Sequence, residues 1–269
     1  VLNENEKILH VTCHNTNYFF TTSDNRGFVF GTNTKRMLGI NNTNESYVQV
    51  YPTEIMFDEA NVLSNKKIKQ ITCSLVAYLI LFYDGTIYAA GKNEKRELGS
   101  VPSEDSYNNT FKELTSFTYQ NTDEYAIRIS SGEYYTVVIS NYGNVYSCGT
   151  NDNGRTAKST NNGNSYFGLC TYNNALLENE TPTNIFTQKQ SFFVLTNQNN
   201  IYSSGSNDKG QLGIGNTTNK NKLFRVSLPS SITSIKKLFV CFKSSFIRDQ
   251  DDDYYSLGQG AKYLTLMNN

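Results

Sequence analysis

A glycine recurs at the close of five β-like runs, and its spacing constrains the fold more than any other feature of the chain. The surroundings read Gly-Phe-Val-Phe-Gly31-Thr-Asn, Ile-Tyr-Ala-Ala-Gly91-Lys-Asn, Val-Tyr-Ser-Cys-Gly149-Thr-Asn and Ile-Tyr-Ser-Ser-Gly205-Ser-Asn, with a weaker fifth copy, Tyr-Tyr-Ser-Leu-Gly258-Gln-Gly. Successive glycines are separated by 60, 58, 56 and 53 residues, so the copies tile the 269-residue chain. The register holds away from the glycine. Leu38-Gly39, Leu98-Gly99 and Leu212-Gly213 follow it at a constant distance, while the third and fifth copies depart there with Thr156-Ala157 and Thr265-Leu266. Eighteen residues before the first four glycines stand the small residues Cys13, Cys73, Ser131 and Thr187, with Val240 at that offset in the fifth copy.

Each copy reads as strands. Ile8-Leu9-His10-Val11 and Ile68-Lys69-Gln70-Ile71 alternate apolar and polar side chains, the period of a half-buried strand. A second apolar run follows, as at Tyr78 to Phe82 and Thr136 to Ile139, then a tight turn, clearest at Asp84-Gly85 and Tyr142-Gly143, then the strand that ends on the glycine. Glycine in such a turn supplies the positive φ that matches hairpin twist. Tyr47 to Val50 and Phe224 to Leu228 are candidates for a fourth, outer strand. No segment has sustained helical periodicity. A four-stranded sheet cannot bury both faces alone, but sheets stacked radially about an axis can. The expected fold is therefore all-β, a β-propeller of four-stranded blades in one domain over residues 1–269. Blades are expected at approximately 1–60, 61–120, 121–178, 179–230 and 231–269. Because the copies tile the chain, a closed five-bladed ring is the favoured arrangement, with part of a seven-bladed ring as the alternative.

The blade period, the Asp-Gly turn and the Gly-x-Asn followed by Leu-Gly resemble the repeat of the regulator of chromosome condensation family, most closely in Gly-Ser-Asn-Asp-Lys-Gly-Gln-Leu-Gly-Ile-Gly over residues 205–215. The chain departs from that family in two ways. The family's Trp before the glycine is replaced by Phe30, Ala90, Cys148, Ser204 and Leu257, and its propellers commonly have seven blades, against five copies here. The resemblance implies a propeller that acts by binding protein. It raises guanine-nucleotide exchange on a small GTPase, Ran-like or other, and association with chromatin as alternatives. The family's namesake reaches its GTPase with an inserted wedge; the least patterned stretch here, Ser100 to Glu124, is where one would lie.

Signatures of chemistry are wanting. Gly205-x4-Gly210 is followed by Gln211 and Leu212, so the lysine and hydroxyl of a phosphate-binding loop are missing. Asp249-Gln250-Asp251-Asp252-Asp253 spaces acids as a calcium loop begins, but Tyr254 and Gly260 occupy the places of its glycine and glutamate. It reads as an acidic hairpin tip. The two histidines, His10 and His14, read as ordinary strand and loop residues. Five cysteines, odd in number and without Cys-x-x-Cys spacing, speak against a disulfide framework or a zinc site. No catalytic residue, metal or cofactor is expected. No segment has the length and apolarity of a membrane span, and none resembles a signal peptide. A reducing compartment, cytoplasmic or nuclear, is expected.

Twenty-four basic residues balance 24 acidic ones, so no bulk field favours DNA or anionic membrane, and neither is expected as a direct partner. Antiparallel strands send alternate loops to opposite ends of the propeller. Loops after the first and third strands of each blade hold Lys35, Arg36, Lys92, Lys95, Arg96, Arg155, Lys158, Lys209 and Lys243. Loops at the other end hold Asp24, Asp58, Glu59, Asp84, Asp123, Glu124 and Asp249 to Asp253, with Lys66-Lys67 as the exception. A basic end formed by Lys35, Arg36, Lys92, Lys95, Arg96, Arg155 and Lys209 is the expected partner-binding site. Tyr107, Tyr134, Tyr166 and Phe167 are candidate aromatic anchors beside it. The expected function is that of a monomeric, non-catalytic protein-interaction propeller, a regulator or scaffold in small-GTPase signalling.

Overall fold

The computed structural model describes residues 2–99, 107–159, 164–241, 243–259 and 265–267. Every repeat is a four-stranded antiparallel sheet whose strands lie in chain order. The first blade is β1 (Ile8–His14), β2 (Asn17–Thr22), β3 (Gly27–Thr32) and β4 (Val48–Glu54), and the second is β5 (Ile68–Cys73), β6 (Ala77–Phe82), β7 (Ile87–Lys92) and β8 (Tyr107–Glu113). The third is β9 (Ala126–Ser131), β10 (Tyr135–Ser140), β11 (Val145–Gly149) and β12 (Asn164–Leu169). The fourth is β13 (Pro182–Thr187), β14 (Ser191–Thr196), β15 (Ile201–Gly205) and β16 (Lys220–Arg225), and the fifth β17 (Ile235–Val240), β18 (Ser244–Asp249), β19 (Tyr254–Gly258) and β20 (Thr265–Met267). The longest α-helical piece among the described residues is the single turn Val62–Asn65, far too short to cross a membrane.

The five-blade, all-β reading holds. The outer strands are where the sequence was least legible. The fourth blade's runs from Lys220, four residues before the expected Phe224, and those of the second and third blades carry no clean alternation. Part of the stretch considered for a wedge, Tyr107–Glu113, is one of them.

The glycine signature is a joint in the frame. All five anchor glycines have φ between +102° and +121°, and a Cβ there would lie 2.2–2.3 Å from a carbonyl oxygen of the neighbouring hairpin loop, such as that of Tyr134 for Gly149. The asparagine two residues on is equally structural. The Oδ1 atoms of Asn33, Asn93, Asn151 and Asn207 accept the backbone N–H of Leu38, Leu98, Thr156 and Leu212 at 2.9–3.3 Å, which folds the following loop back onto its blade. The Nδ2 of Asn207 also donates to the carbonyls of Asn216 and Thr218. The loop leucines Leu38, Leu98 and Leu212 are thereby seated in the core.

Apolar seams join consecutive blades. Phe19 and Val29 of the first blade meet Ile71, Tyr78 and Ile80 of the second, Leu79 and Ala89 of the second meet Ile129 and Val138 of the third, and so on to Phe193 of the fourth against Leu238 and Ile247 of the fifth. The interblade segments add aromatic rings to these seams. Phe57 stands edge-on to Tyr88, and Phe117 stacks on Phe167 with centroids 4.2 Å apart. No apolar cluster of described residues joins the fifth blade to the first. The first blade's face on that side is exposed, at Ile8 and Val11, so the described residues make an open arc and not the expected closed ring; tiling of the chain by repeats fixes the number of wedges and not the angle between them.

Candidate functional site

Antiparallel blades bring the loops after their first and third strands to one end of the arc. The short loops after the first strands hydrogen-bond in series about the axis: Leu75 N–H donates to the Glu133 carbonyl, and Glu133 N–H to the Lys189 carbonyl, both at 3.1 Å. They rim a hollow of about 440 Å³ lined by side chains of all five repeats, among them His14, Ser74, Glu133, Gln188, Lys189 and Cys241. Glu133 is the electrostatic hub, 3.0 Å from Lys189 Nζ and 3.9 Å from Arg155. His14 lies half-buried, and burial lowers its pKa against the opposing pull of Glu133. These rim residues were missed in the sequence, although a signal existed: His14, Ser74, Gln188 and Cys241 directly follow the residue eighteen before each glycine, and Glu133 and Lys189 lie one position further on.

The expected basic residues share this end, but they are not equivalent. Lys95, Arg96 and Lys209 are exposed. Lys35 and Arg36 are half-buried on a 3-10 turn, 3.9 Å from Glu94 and Glu45, and Lys92 is half-buried at the end of β7. Arg155 is buried, donates from Nε to the Asp152 carbonyl and faces Glu133, so it orients the hub and presents no charge to a partner. With Glu45, Glu94, Glu133, Asp152 and Asp208 interleaved, this end is a mixed, ion-paired surface with exposed positive tips, and not a uniformly basic face. Of the candidate aromatics, Tyr166 is exposed, Tyr134 is half-buried, and Phe167 belongs to the core; the side chain of Tyr107 lies outside the described residues.

One more loop residue has a displaced titration. Burial drives the Glu97 carboxyl up to about 7, although its Oε2 accepts the Lys95 N–H at 2.6 Å. The same place in the fourth repeat is filled by Gln211, whose Oε1 accepts the Lys209 N–H at 2.9 Å. A neutral amide does there what a costly buried carboxylate does in the second repeat.

The opposite end is less acidic than its composition. Glu124 and Glu180 are buried staples between a blade's incoming linker and its hairpin. Glu124 accepts hydrogen bonds from Ser140, Asn144 and Tyr146, and Glu180 from Thr196, Asn200 and Tyr202. Burial raises both carboxyls, but these donors outweigh it and hold them below the usual carboxylate range. At Asp249, also buried, the carboxylate accepts the N–H groups of Asp251 and Asp253 at 3.0 Å, while Asp252 pairs with Lys236 and Arg248. The calcium-like spacing therefore closes its own turn. Elsewhere, His10 Nδ1 lies 3.0 Å from Thr21 Oγ1 within the first blade.

Comparison with known proteins now bears on this frame. A sequence profile of the Regulator of chromosome condensation (RCC1) repeat matches residues 198–243, which hold the fourth glycine signature and its stapled loop. That stretch of the chain carries an RCC1 repeat. An RCC1 repeat-containing protein of Dictyostelium discoideum is 25% identical over 213 residues, covering 76% of this chain and 42% of its own length. The chain thus spans less than half of that curated relative. Among solved structures, human WBSCR16 superposes with a TM-score of 0.84 at 15% identity, covering 99% of this chain and 68% of its own. Prp20p of Saccharomyces cerevisiae, described together with its binding properties to Gsp1p and histones, superposes with a TM-score of 0.78 at 19% identity, covering 98% and 66%. At these identities the likeness establishes the RCC1-type propeller fold.

Proposed function

We propose that this RCC1-repeat propeller is a non-catalytic protein-interaction module, a regulator or scaffold in small-GTPase signalling. The observation that carries the reading is the loop end of the arc. Asn33, Asn93, Asn151 and Asn207 hold its long loops rigid, so Lys95, Arg96 and Lys209 are presented at fixed positions on those loops. Rigid loops on a scaffold suit recognition, because little ordering entropy is lost on binding. Exposed positive tips attract an acidic partner surface over about 8 Å at physiological salt. Lys35, Arg36 and Lys92 lie on the same loops and extend that footprint; Arg155 acts behind it.

Fold likeness to Prp20p favours a second reading within the same class, nucleotide exchange on a small GTPase. Exchange needs no chemical step, only preferential binding of the nucleotide-free state. Both readings are tested with purified chain and a panel of small GTPases loaded with fluorescent nucleotide. Salt-sensitive binding that is lost in Lys95→Glu/Arg96→Glu/Lys209→Glu supports the interaction site, and accelerated nucleotide release from one GTPase assigns exchange. Absence of binding across the panel at low salt, or binding indifferent to the reversals, overturns the proposal.

A further inference from the structure

At the end of the arc opposite the loop-end site, the hairpin tips between second and third strands are built on one plan. The residue after the second strand donates its backbone N–H to the carbonyl of the residue before the first strand: Ser23 to Lys7, Tyr83 to Lys67, Asn141 to Tyr125 and Asn197 to Thr181, at 2.8–3.0 Å. In the first, third and fourth repeats the side chain returns the bond. Ser23 Oγ, Asn141 Oδ1 and Asn197 Oδ1 accept the N–H of Lys7, Tyr125 and Thr181 at 2.9–3.0 Å. The second repeat gives this up. Its residue is Tyr83, whose ring cannot return the bond and stands 60% exposed. That exchange forfeits a hydrogen bond and leaves a ring in water, which the fold alone does not call for. Two ammonium groups stand over the ring instead, Lys67 Nζ at 5.9 Å and Lys69 Nζ at 5.7 Å from its centroid. Burial lowers the pKa of Lys69, and the charge of Arg128, on the first strand of the third blade, lowers it further. Among the described residues, none of these three cations pairs with a carboxylate, and the acid of the same tip, Asp84, is held by Lys66 at 2.6 Å. Tyr125 extends the patch, with its exposed ring lying against Gly85 of the same turn.

We propose that Tyr83, Lys67, Lys69 and Arg128 form a second interaction surface, at the hairpin-tip end of blades two and three, that takes an acidic peptide segment of a partner protein. The charges select such a segment. Like charges crowded without a counter-ion repel one another, and carboxylates supplied by a partner relieve that cost. The exposed rings of Tyr83 and Tyr125 offer the segment an apolar shelf beside the cations, the kind of residue that anchors an interface. A nucleic-acid strand fits less well, because the Tyr83 ring lies beneath ammonium groups and is not open to a stacking base. The surface is independent of the loop-end site, which the opposite ends of the strands carry. Lys67, an exception to the acidic pattern of this end in the sequence, finds its place here.

Fluorescence anisotropy with a labelled decapeptide of alternating glutamate and alanine, at low salt, tests the assignment. The parent is the chain already carrying Lys95→Glu/Arg96→Glu/Lys209→Glu, so that the loop-end tips contribute nothing and the two sites fail separately. This parent is expected to bind the peptide, and Lys67→Glu/Lys69→Glu to weaken binding by about tenfold or more. Tyr83→Asn, which copies Asn141 and Asn197, is expected to weaken binding by about threefold. Because that variant regains the side-chain hydrogen bond of the other tips, its thermal midpoint is expected to equal or exceed the parent's. The proposal is overturned if the parent binds no peptide, or if Lys67→Glu/Lys69→Glu or Tyr83→Asn binds as the parent does. It is overturned equally if Tyr83→Asn lowers the midpoint, since Tyr83 then serves the fold, or if an oligothymidine of equal charge binds more tightly than the peptide.

Discussion

At the scale of the residue, the buried motif side chains behave as mechanical parts. Gly149 has φ +104°, and a Cβ would come within 2.3 Å of the Tyr134 carbonyl oxygen. Backbone cannot retreat as a flexible side chain does, so Gly149→Ala is expected to cost about 2 kcal/mol or more in urea denaturation. The asparagine staple makes a second case: Asn207→Ala leaves the Leu212 N–H without its partner and is expected to cost about 1–3 kcal/mol. Glu97 gives a pH signature. Its folded pKa, about 7, lies above the unfolded value, so the folded state binds the extra proton and stability falls as pH rises through that interval. Glu97→Gln, which copies Gln211, is expected to raise the thermal midpoint at pH 8 and to leave it nearly unchanged near pH 4.5, as scanning calorimetry would read. Glu124 runs the other way. Its folded pKa is depressed, so its contribution is present above the unfolded carboxylate value and fades as pH falls through the folded one.

At the scale of the element, burial depends on which sheet stands alongside and not on the strand alone. Ile129 and Val11 occupy the same place in their blades, yet one is sealed in a seam and the other faces solvent. Ile129→Ala is therefore expected to destabilise by about 2–5 kcal/mol, while Val11→Ala stays within about 0.5 kcal/mol in the same denaturation assay. This contrast also marks how far the sequence could be read. The inner three strands of each blade were legible because their alternation, turn glycines and anchor are local patterns. The outer strands were not, since β8 and β12 mix polar and aromatic residues without alternation and are held by pairing to β7 and β11. Charge was legible as sign but not as setting. Arg155 and Glu124 look like surface residues in the sequence, but both are buried because partners distant in the chain, Glu133 for one and Ser140 and Tyr146 for the other, converge on them.

At the scale of the whole molecule, five nearly equivalent wedges stack through four apolar seams, and among the described residues the outward faces of the first and fifth have no such seam. Repetition makes the frame quasi-one-dimensional, so stability is set by each wedge and its nearest neighbours. The proposed function resides at the loop end, where the loops after the first strands of all five wedges line one hollow. All of this rests on the five segments being the same structural unit, which hydrogen–deuterium exchange resolved by peptide tests most directly. The second strand of each blade is bonded on both sides, so β2, β6, β10, β14 and β18 are all expected to be protected, with the hairpin tips between second and third strands exchanging fast in every repeat. A single one of those five strands exchanging at the rate of the tips would contradict the five-wedge frame.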